Sequence, residues 1–194
     1  MEKEQIKHTN KLIIIGGSSG SLDALLQILP LLKDHFSIPI ILVLHRSSNS
    51  DSALAELLQS RTRLQVKEAD EKDLLQPGWI YIAPPDYHLL IEDDESLSLD
   101  MSEKINYSRP SIDVSFISAA AVYKERLIAV LLSGANADGA EGMKTIKDLG
   151  GYTIVQDPGE SQVSYMPEQA LLLTPIDAIK KAIDIAETLN KIPG

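Results

Sequence analysis

A serine on a glycine-rich turn is the first candidate for chemistry in this sequence. Ser18 lies in the segment Gly16–Gly20, of sequence GGSSG, between the apolar run Leu12–Ile15 and the helix-like run Leu22–Leu32. A serine on a tight turn between a strand and a helix is exposed near the helix N-terminus, where backbone amides can stabilise a developing oxyanion. Glycine turns after strands also bind phosphates, and serine is a common helix cap. The segment alone therefore allows three interpretations: a nucleophile, a nucleotide-binding loop and a plain turn.

A histidine and an aspartate follow two further apolar runs. His45 ends the run Ile38–Leu44, and Asp138 lies in the loop after Leu127–Leu132. If the runs are parallel strands, their carboxyl ends share one edge of the sheet, where ligands bind. Serine, histidine and aspartate together are the nucleophile, general base and orienting carboxylate of a serine hydrolase. A strand-end histidine and an N-cap aspartate are the structural alternatives, but the coincidence of all three residues favours the hydrolase.

The order of these residues argues against one familiar fold. Here the chain runs serine, histidine, aspartate, whereas the α/β-hydrolase fold has the order serine, acid, histidine. The other histidines are poorer candidates: His8 lies in a polar tail, His35 lies in a polar connection, and His88 could line a site but fits a solvated loop better. No metal-binding spacing such as H-E-x-x-H occurs, so we expect neither a metal nor another cofactor.

Apolar runs alternate with amphipathic ones and predict an α/β fold with a mostly parallel sheet. Strands are predicted at 12–15, 38–44, 127–132 and 152–155, and helices at 22–32, 52–61, 112–124, 141–149, 167–173 and 176–189. Between them lie four short runs, which we interpret as a strand-rich insertion on the parallel framework: 64–66, 79–83, 89–92 and 97–100. The acidic segment Asp93–Glu95 is a predicted hairpin loop within that insertion.

Length and composition limit the possible classes of protein. The 194 residues suffice for one domain, and we expect a polar tail at 1–10 followed by a single domain at 11–194. The formal net charge of −10 argues against nucleic acid as the main partner. The absence of cysteine excludes disulfides and thiolate chemistry and is compatible with the cytoplasm, the location we expect. The charged start lacks the apolar core of a signal peptide, and the longest apolar stretch is too short to span a bilayer, so no membrane insertion is expected.

Several motifs in a fixed order resemble the catalytic domain of the CheB-type chemotaxis protein-glutamate methylesterases. The likeness extends from about Leu12 to Ala170. The blocks that carry it are Ile15–Gly20, Val43–His45, Gly78–Pro84, Ser108–Asp113, Leu131–Met143, Gln156–Asp157 and Met166–Glu168. The most distinctive are the blocks Ala137–Ala140 and Arg109–Asp113.

The resemblance implies a three-layer α/β/α sandwich with a doubly wound, mostly parallel sheet and a small antiparallel insertion. It implies Ser18 as nucleophile, His45 as general base and acid, and Asp138 as the orienting carboxylate. The substrate would be a γ-glutamyl methyl ester on a methyl-accepting chemotaxis receptor, and the products glutamate and methanol. Deamidation of specific receptor glutamines is also implied.

Backbone amides near the proposed nucleophile could form the oxyanion hole. Donors on the Ser18 turn, at Ser19, and on the loop Gly134–Ala135 are the candidates, and each such donor contributes roughly a few kcal/mol to transition-state stabilisation. These donors come from two separate loops, so the hole depends on how the fold brings the loops together.

The sequence also departs from the usual pattern of the family. Only about ten residues precede the first strand, too few for the N-terminal receiver domain, so we expect a stand-alone catalytic domain, a fragment, or regulation in another way such as by a separate protein. Ala135 stands where methionine is common, Ser21 where glycine is common, and Arg46 where an apolar residue is common. These changes bear on substrate preference and rate. Alternatives to the methylesterase are an esterase or amidase with another substrate, an inactive regulatory module of the same fold, and a nucleotide-binding domain.

Overall fold

A computed structural model describes residues 11–46 and 53–193 of the chain. The predicted polar tail at 1–10 and the first residue of the helix predicted at 52–61 lie outside these ranges. Within them, no helix is both long enough and apolar enough to cross a membrane.

Nine strands occur in the described ranges, and seven of them form one parallel sheet with the order β3-β4-β2-β1-β7-β8-β9. The other two form a separate antiparallel hairpin, β5-β6. In chain order the strands are β1 (Leu12–Gly17), β2 (Ile40–Leu44), β3 (Gln65–Glu68), β4 (Trp79–Ile82), β5 (His88–Ile91), β6 (Leu97–Asp100), β7 (Leu127–Leu131), β8 (Tyr152–Gln156) and β9 (Ala178–Lys180).

Six α-helices connect the strands in the part of the chain that is described. They are α1 (Ser21–Ile28), α2 (Ala53–Gln59), α3 (Ile112–Tyr123), α4 (Ala140–Asp148), α5 (Tyr165–Leu173) and α6 (Ala182–Leu189). Short 3₁₀ turns extend α1 over Leu29–Leu31 and α3 over Lys124–Arg126. Pro30 falls in the first of these turns, so the α-helix ends before the proline and short of the end predicted at residue 32.

Alternate side chains of the buried strands enter two separate cores. Ile13 and Ile15 of β1 pack with residues of α1 and α6 on one face of the sheet. Leu12 and Ile14 face the opposite core, which contains residues of α3, α4 and the hairpin. Because successive strand residues point to opposite faces, a continuously apolar strand requires cover on both sides. The predicted three-layer sandwich is confirmed.

The predicted strand-rich insertion is smaller than expected. Only the runs at 89–92 and 97–100 form the antiparallel hairpin, with the acidic loop between them. The runs at 64–66 and 79–83 are instead β3 and β4 of the parallel sheet. The prediction was wrong for these two runs because a short apolar run does not reveal its partner, and β4 pairs with β2 across about forty residues of chain.

The prediction of a helix at 176–189 was also wrong over its first part. Residues Ala178–Lys180 form the edge strand β9, and α6 begins only at Ala182. Asp177 fixes the strand, because its Oδ2 accepts hydrogen bonds from the amide and the hydroxyl of Thr153 on β8, each at 2.9 Å. The structure of this segment therefore depends on a contact with a distant part of the chain, which a local sequence pattern cannot reveal.

The central strand β1 lies at the point where the chain order reverses. It pairs with β2 on one side and with β7 on the other. In an open α/β sheet, the crevice beyond the carboxyl ends of such strands is where ligands bind. The three predicted catalytic residues follow β1, β2 and β7, and therefore lie at this crevice.

Candidate active site

The turn after β1 presents Ser18 at the start of α1. The amide and the hydroxyl of Ser21 both donate to the carbonyl of Ser18, at 3.0 and 2.6 Å. Gly20 has a φ of +82°, and a Cβ there would lie 2.6 Å from the Cβ of Gln162. A residue with a side chain would be strained and crowded at this position, so the turn requires glycine there.

Ser133, which lies just beyond the carboxyl end of β7, holds this turn in place. Its carbonyl accepts the amide of Ser18 at 2.9 Å, and its own amide donates to Oε1 of Gln156 at 2.9 Å. Its hydroxyl accepts the amide of Val163 at 2.9 Å and can donate to the carbonyl of Ser19 at 2.7 Å. Ser133 is fully buried, so its hydrogen bonds attach the turn to the protein core.

His45 and Asp138 are in direct contact. Nε2 of His45 lies 2.7 Å from Oδ2 of Asp138, with the histidine side chain 12% exposed and the aspartate side chain fully buried. An ionised carboxylate only accepts hydrogen bonds, so Nε2 carries the proton of the neutral imidazole. Nδ1 is then the basic nitrogen, free of the aspartate.

The backbone places Ser18 beside His45. Gly17 and Leu44 are register partners at the ends of β1 and β2, and the amide of His45 donates to the carbonyl of Gly17 at 3.1 Å. Within the described residues, the hydroxyl of Ser18 makes no hydrogen bond to His45. Nucleophile–base hydrogen bonds are often long without substrate and tighten when it binds.

The carboxylate of Asp138 is held by the N-terminus of α3. Its oxygens accept the hydroxyl of Ser111 at 3.0 Å and the amides of Ile112 and Asp113 at 2.7 and 2.9 Å. Burial alone would raise the pKa of Asp138, but the hydrogen bonds from His45 and from these amides outweigh it and lower the pKa. Asp138 is therefore ionised and fixed in one orientation.

Asp113 makes the reciprocal contact with the start of α4. Its Oδ1 accepts the amides of Gly139 and Gly142 at 2.9 and 2.7 Å. Burial raises the pKa of Asp113 to about 6, the amide of Gly142 opposes the rise, and the charge of Asp138 adds to it. Helices α3 and α4 thus exchange carboxylates across their N-termini, which locks the loop that carries Asp138.

His88 supports the same region from the hairpin. It is 1% exposed rather than solvated, its Nδ1 accepts the amide of Ser111 at 3.1 Å, and its Nε2 donates to the carbonyl of Glu103 at 3.0 Å. A chain of hydrogen bonds therefore runs from His88 through Ser111 to Asp138. The Ser111 hydroxyl faces the carboxylate and not the imidazole, so His88 positions Ser111 and does not activate it.

The three predicted oxyanion donors differ in the structure. The amide of Gly134 is already engaged, because it donates to the carbonyl of Val163 at 3.1 Å. The amides of Ser19 and Ala135 donate to no residue in the described ranges, and both residues are exposed. Ser19 and Ala135 are thus the available donors. The described part of the chain contains no cluster of three or more histidine, aspartate or glutamate residues that could hold a metal ion.

Sequence reasoning missed the residues that position the site. Ser111, Asp113, Ser133 and Gln156 contact the predicted residues, or each other, from loops that are distant in sequence. The available signal was weak: each is a polar residue near the end of an apolar run, where a strand or helix begins or ends.

Fold and site together define a doubly wound α/β domain with the layout of a serine hydrolase at its switch point. A family model described as CheB methylesterase matches residues 13–189, and the chain belongs to this family. The resemblance noted in the sequence is confirmed.

Relatives of known name cover the chain almost completely. A Leptospira interrogans protein, named provisionally as a protein-glutamate methylesterase/protein-glutamine glutaminase, is 45% identical over 180 residues and matches across 93% of each chain. The protein-glutamate methylesterase/protein-glutamine glutaminase of Thermotoga maritima is 36% identical, and the match covers 95% of this chain and 54% of the relative. The crystal structure of the Thermotoga maritima CheB methylesterase catalytic domain superposes with a TM-score of 0.90 at 35% identity, covering 95% of this chain and 99% of that one.

Proposed function

We propose that this protein is a protein-glutamate methylesterase that uses Ser18, His45 and Asp138 as a catalytic triad. The observation that carries the proposal is the 2.7 Å contact between His45 and the buried, ionised Asp138, made next to the serine turn at the sheet's switch point. A histidine with its tautomer fixed by a carboxylate is a general base for a neighbouring hydroxyl.

The first half of the reaction forms an acyl-enzyme. Nδ1 of His45 takes the proton of the Ser18 hydroxyl as Oγ attacks the γ-carbonyl carbon of the ester. The amides of Ser19 and Ala135 stabilise the resulting oxyanion. Asp138 stays ionised and stabilises the imidazolium, which then protonates the departing methoxide to give methanol.

The second half restores the serine. His45 removes a proton from water, which attacks the acyl carbon, and the tetrahedral intermediate collapses to release the glutamate side chain and return the proton to Oγ. The same steps applied to a glutamine side chain would release ammonia. Deamidation therefore needs no further residue, and it is part of the proposal.

The proposed substrate determines the partner and the place of action. Methyl-glutamates on the cytoplasmic helices of chemotaxis receptors are the substrate class that the family points to, so we propose a receptor partner, a cytoplasmic location and a single catalytic domain at 11–194. The match of the family over 13–189 supports that extent. A separate protein that regulates activity is compatible with the same proposal.

The test compares methanol release from a methylated receptor cytoplasmic fragment by the wild type and by Ser18→Ala. We expect the variant to lose activity by a factor on the order of 10⁴ or more, because removal of the nucleophile leaves only binding and oxyanion stabilisation. Ser37→Ala, on an exposed loop before β2, is the matched control and should keep wild-type activity.

The outcomes separate the alternatives. Release of methanol by both wild type and Ser18→Ala would reject the triad. Hydrolysis of simple esters with no release from the receptor fragment would favour a different substrate. A Ser18 that does not react with an organophosphonate probe would favour an inactive module of the same fold.

A further inference from the structure

A basic cavity adjoins the site next to His45. It has a volume of about 380 Å³, and its lining includes Arg46, Lys104 and Arg109 beside the imidazole. Among the described residues, Asp86 is the one carboxylate in that lining. The whole chain carries a formal net charge of −10, so a cavity with three cationic side chains is a local exception to the charge of the molecule.

Arg109 is anchored so that part of its guanidinium remains available. Nη1 donates to the carbonyls of Met101 and Ser102 at 2.9 and 2.7 Å. The described residues provide no partner for Nη2, and Nε is buried without one. With Nη1 engaged and Nε buried, Nη2 is the donor left to meet a carboxylate.

Arg46 adds a buried positive charge directly after His45. Its side chain is 8% exposed, and Nη2 donates to Glu68 and, at 3.3 Å, to the carbonyl of Ala83. Nε and Nη1 are buried without a partner among the described residues. These two donors are buried and do not reach a ligand directly, so Arg46 contributes to the cavity through its charge.

Lys104 and Asp86 complete the balance of charge. No ion pair within 4.0 Å joins either side chain to a described residue of opposite charge. Lys104 therefore offers an uncommitted ammonium, while Asp86 offsets one of the three positive charges. Glu68 neutralises much of Arg46, and Arg109 also interacts with the nearby carboxylate of Asp100, so Lys104 is the positive charge least committed to other described residues.

We propose that this cavity is a subsite for an acidic side chain of the protein substrate, next to the glutamate that carries the ester. The inference rests on the proposed function, because the ester must lie between Ser18 and His45 and the substrate chain then continues past His45 into the cavity. The volume is large enough for a glutamate or aspartate side chain together with the backbone that bears it. Tyr107, 98% exposed at the rim, offers an apolar contact for that backbone.

The test uses two peptides that differ at one position. Each has a central glutamate γ-methyl ester, flanked by glutamate in one peptide and by glutamine in the other. We expect kcat/KM for methanol release to be about 5- to 10-fold higher for the acidic peptide at low ionic strength, and the preference to shrink as salt screens the charges. The preference should be lost or reversed in Lys104→Glu.

Lys124→Glu is the matched control, because Lys124 is an exposed lysine just before β7, at the amino end of that strand and so away from the site. It changes the net charge equally and should keep the wild-type preference. Thermal unfolding of both variants checks that they fold. Equal kcat/KM for the two peptides in the wild type, or equal preferences in Lys104→Glu and Lys124→Glu, would overturn the subsite.

A binding experiment separates this inference from the proposed function. If the wild type hydrolyses neither the peptides nor the methylated receptor fragment, the methylesterase proposal fails, and the subsite is judged by direct binding of both peptides to Ser18→Ala. Tighter binding of the acidic peptide, lost in Ser18→Ala combined with Lys104→Glu, would support the subsite. Equal binding of both peptides would refute it.

Discussion

The arrangement of this site depends on the protonation state of Asp138. Its two oxygens accept four hydrogen bonds, from His45, Ser111, Ile112 and Asp113. Each of these groups is a donor, so the arrangement is satisfied only when the residue at 138 is an acceptor on both sides. The ionised carboxylate is therefore required both for the histidine tautomer and for the start of α3.

We expect Asp138→Asn to lower kcat/KM for the methyl ester by a factor on the order of 10³ to 10⁴, because an amide NH₂ group on one side must face donors and favours the wrong imidazole tautomer. The measurement is methanol release at several pH values. Asp184→Asn, an exposed residue of α6, is the control. A loss of less than tenfold in Asp138→Asn would show that the carboxylate does not orient His45.

The raised pKa of Asp113 predicts that the stability of the protein depends on pH. Its pKa rises from 3.8 to about 6 on folding, so between these values the folded state keeps a proton that the unfolded chain has released. The free energy of unfolding contributed by Asp113 then falls as pH rises through this window, by at most about 3 kcal/mol. Asparagine at this position cannot titrate and keeps an oxygen for the amides of Gly139 and Gly142.

Urea unfolding of the wild type and Asp113→Asn at pH 4, 5, 6 and 7 measures this effect. We expect the variant to gain stability relative to the wild type as pH increases, chiefly between pH 4 and pH 6. The lowered pKa of Asp138 acts in the opposite direction, but it is present in both proteins and largely cancels in the difference. A difference that does not vary with pH would contradict the raised pKa.

At the residue scale, polar residues at the ends of strands could be predicted from the sequence, but the residues that hydrogen-bond to them could not. Ser18, His45 and Asp138 each follow a continuously apolar run, so their shared edge could be predicted from those runs alone. Asp113 could not be identified in the same way, because its role depends on Gly139 and Gly142, more than twenty residues away. The engaged amide of Gly134 also depends on a distant partner, the carbonyl of Val163.

At the scale of elements, α3 connects the hairpin to the site. Ser115 donates to the carbonyl of Leu89 at 2.7 Å, and Ser118 exchanges hydrogen bonds with Ile91 at 2.7 and 3.0 Å. These bonds fix β5 against the helix whose N-terminus holds Asp138. The hairpin therefore helps to support the candidate active site.

Ser111 is the N-cap of α3, and its removal should affect both stability and activity. Its hydroxyl accepts the amide of Val114 at 3.4 Å and donates to Asp138 at 3.0 Å. We expect Ser111→Ala to reduce the free energy of unfolding by about 1 to 2 kcal/mol and to lower kcat, because a cap and a donor to the carboxylate are lost together.

Ser164→Ala is the control for that experiment. Ser164 occupies the N-cap position of α5, but its side chain makes no capping hydrogen bond, so its loss should leave the free energy of unfolding nearly unchanged. Chemical denaturation and methanol release measure the two properties. If the two variants were equally stable, the hydroxyl of Ser111 would not be an effective cap.

The elements that could be predicted are those with a complete local pattern. The strands β1, β2, β7 and β8 and helices α3 and α4 have the expected positions within a few residues, and Gly150, with a φ of +87°, follows the end of α4. The edge strand β9 was predicted as helix, because a run of three residues is too short to show whether its apolar residues repeat as in a helix or as in a strand. The side chain of Asp177 supplies the specificity that the pattern lacks.

At the scale of the whole molecule, the site and its surroundings differ in how firmly they are held. Ser18, His45 and Asp138 follow the central strands β1, β2 and β7, whose residues are buried on both faces. The residues 101–107 at the rim of the basic cavity are all exposed. The proposed catalytic groups thus rest on the best-packed strands, while the proposed substrate contacts come from a segment with little burial.

This difference predicts a gradient of hydrogen exchange. Amides of β1 and β7 should exchange only on global unfolding, those of the edge strands β3 and β9 faster, and those of 101–107 fastest, because opening costs less free energy where fewer apolar contacts are lost. Exchange measured by mass spectrometry, with and without the acidic peptide bound to Ser18→Ala, tests this order. Protection gained at 101–107 with little change in β1 would fit a rigid catalytic centre with an adaptable rim. If β1 exchanged as fast as β3 or β9, the central strands would not be the rigid support of the proposed triad.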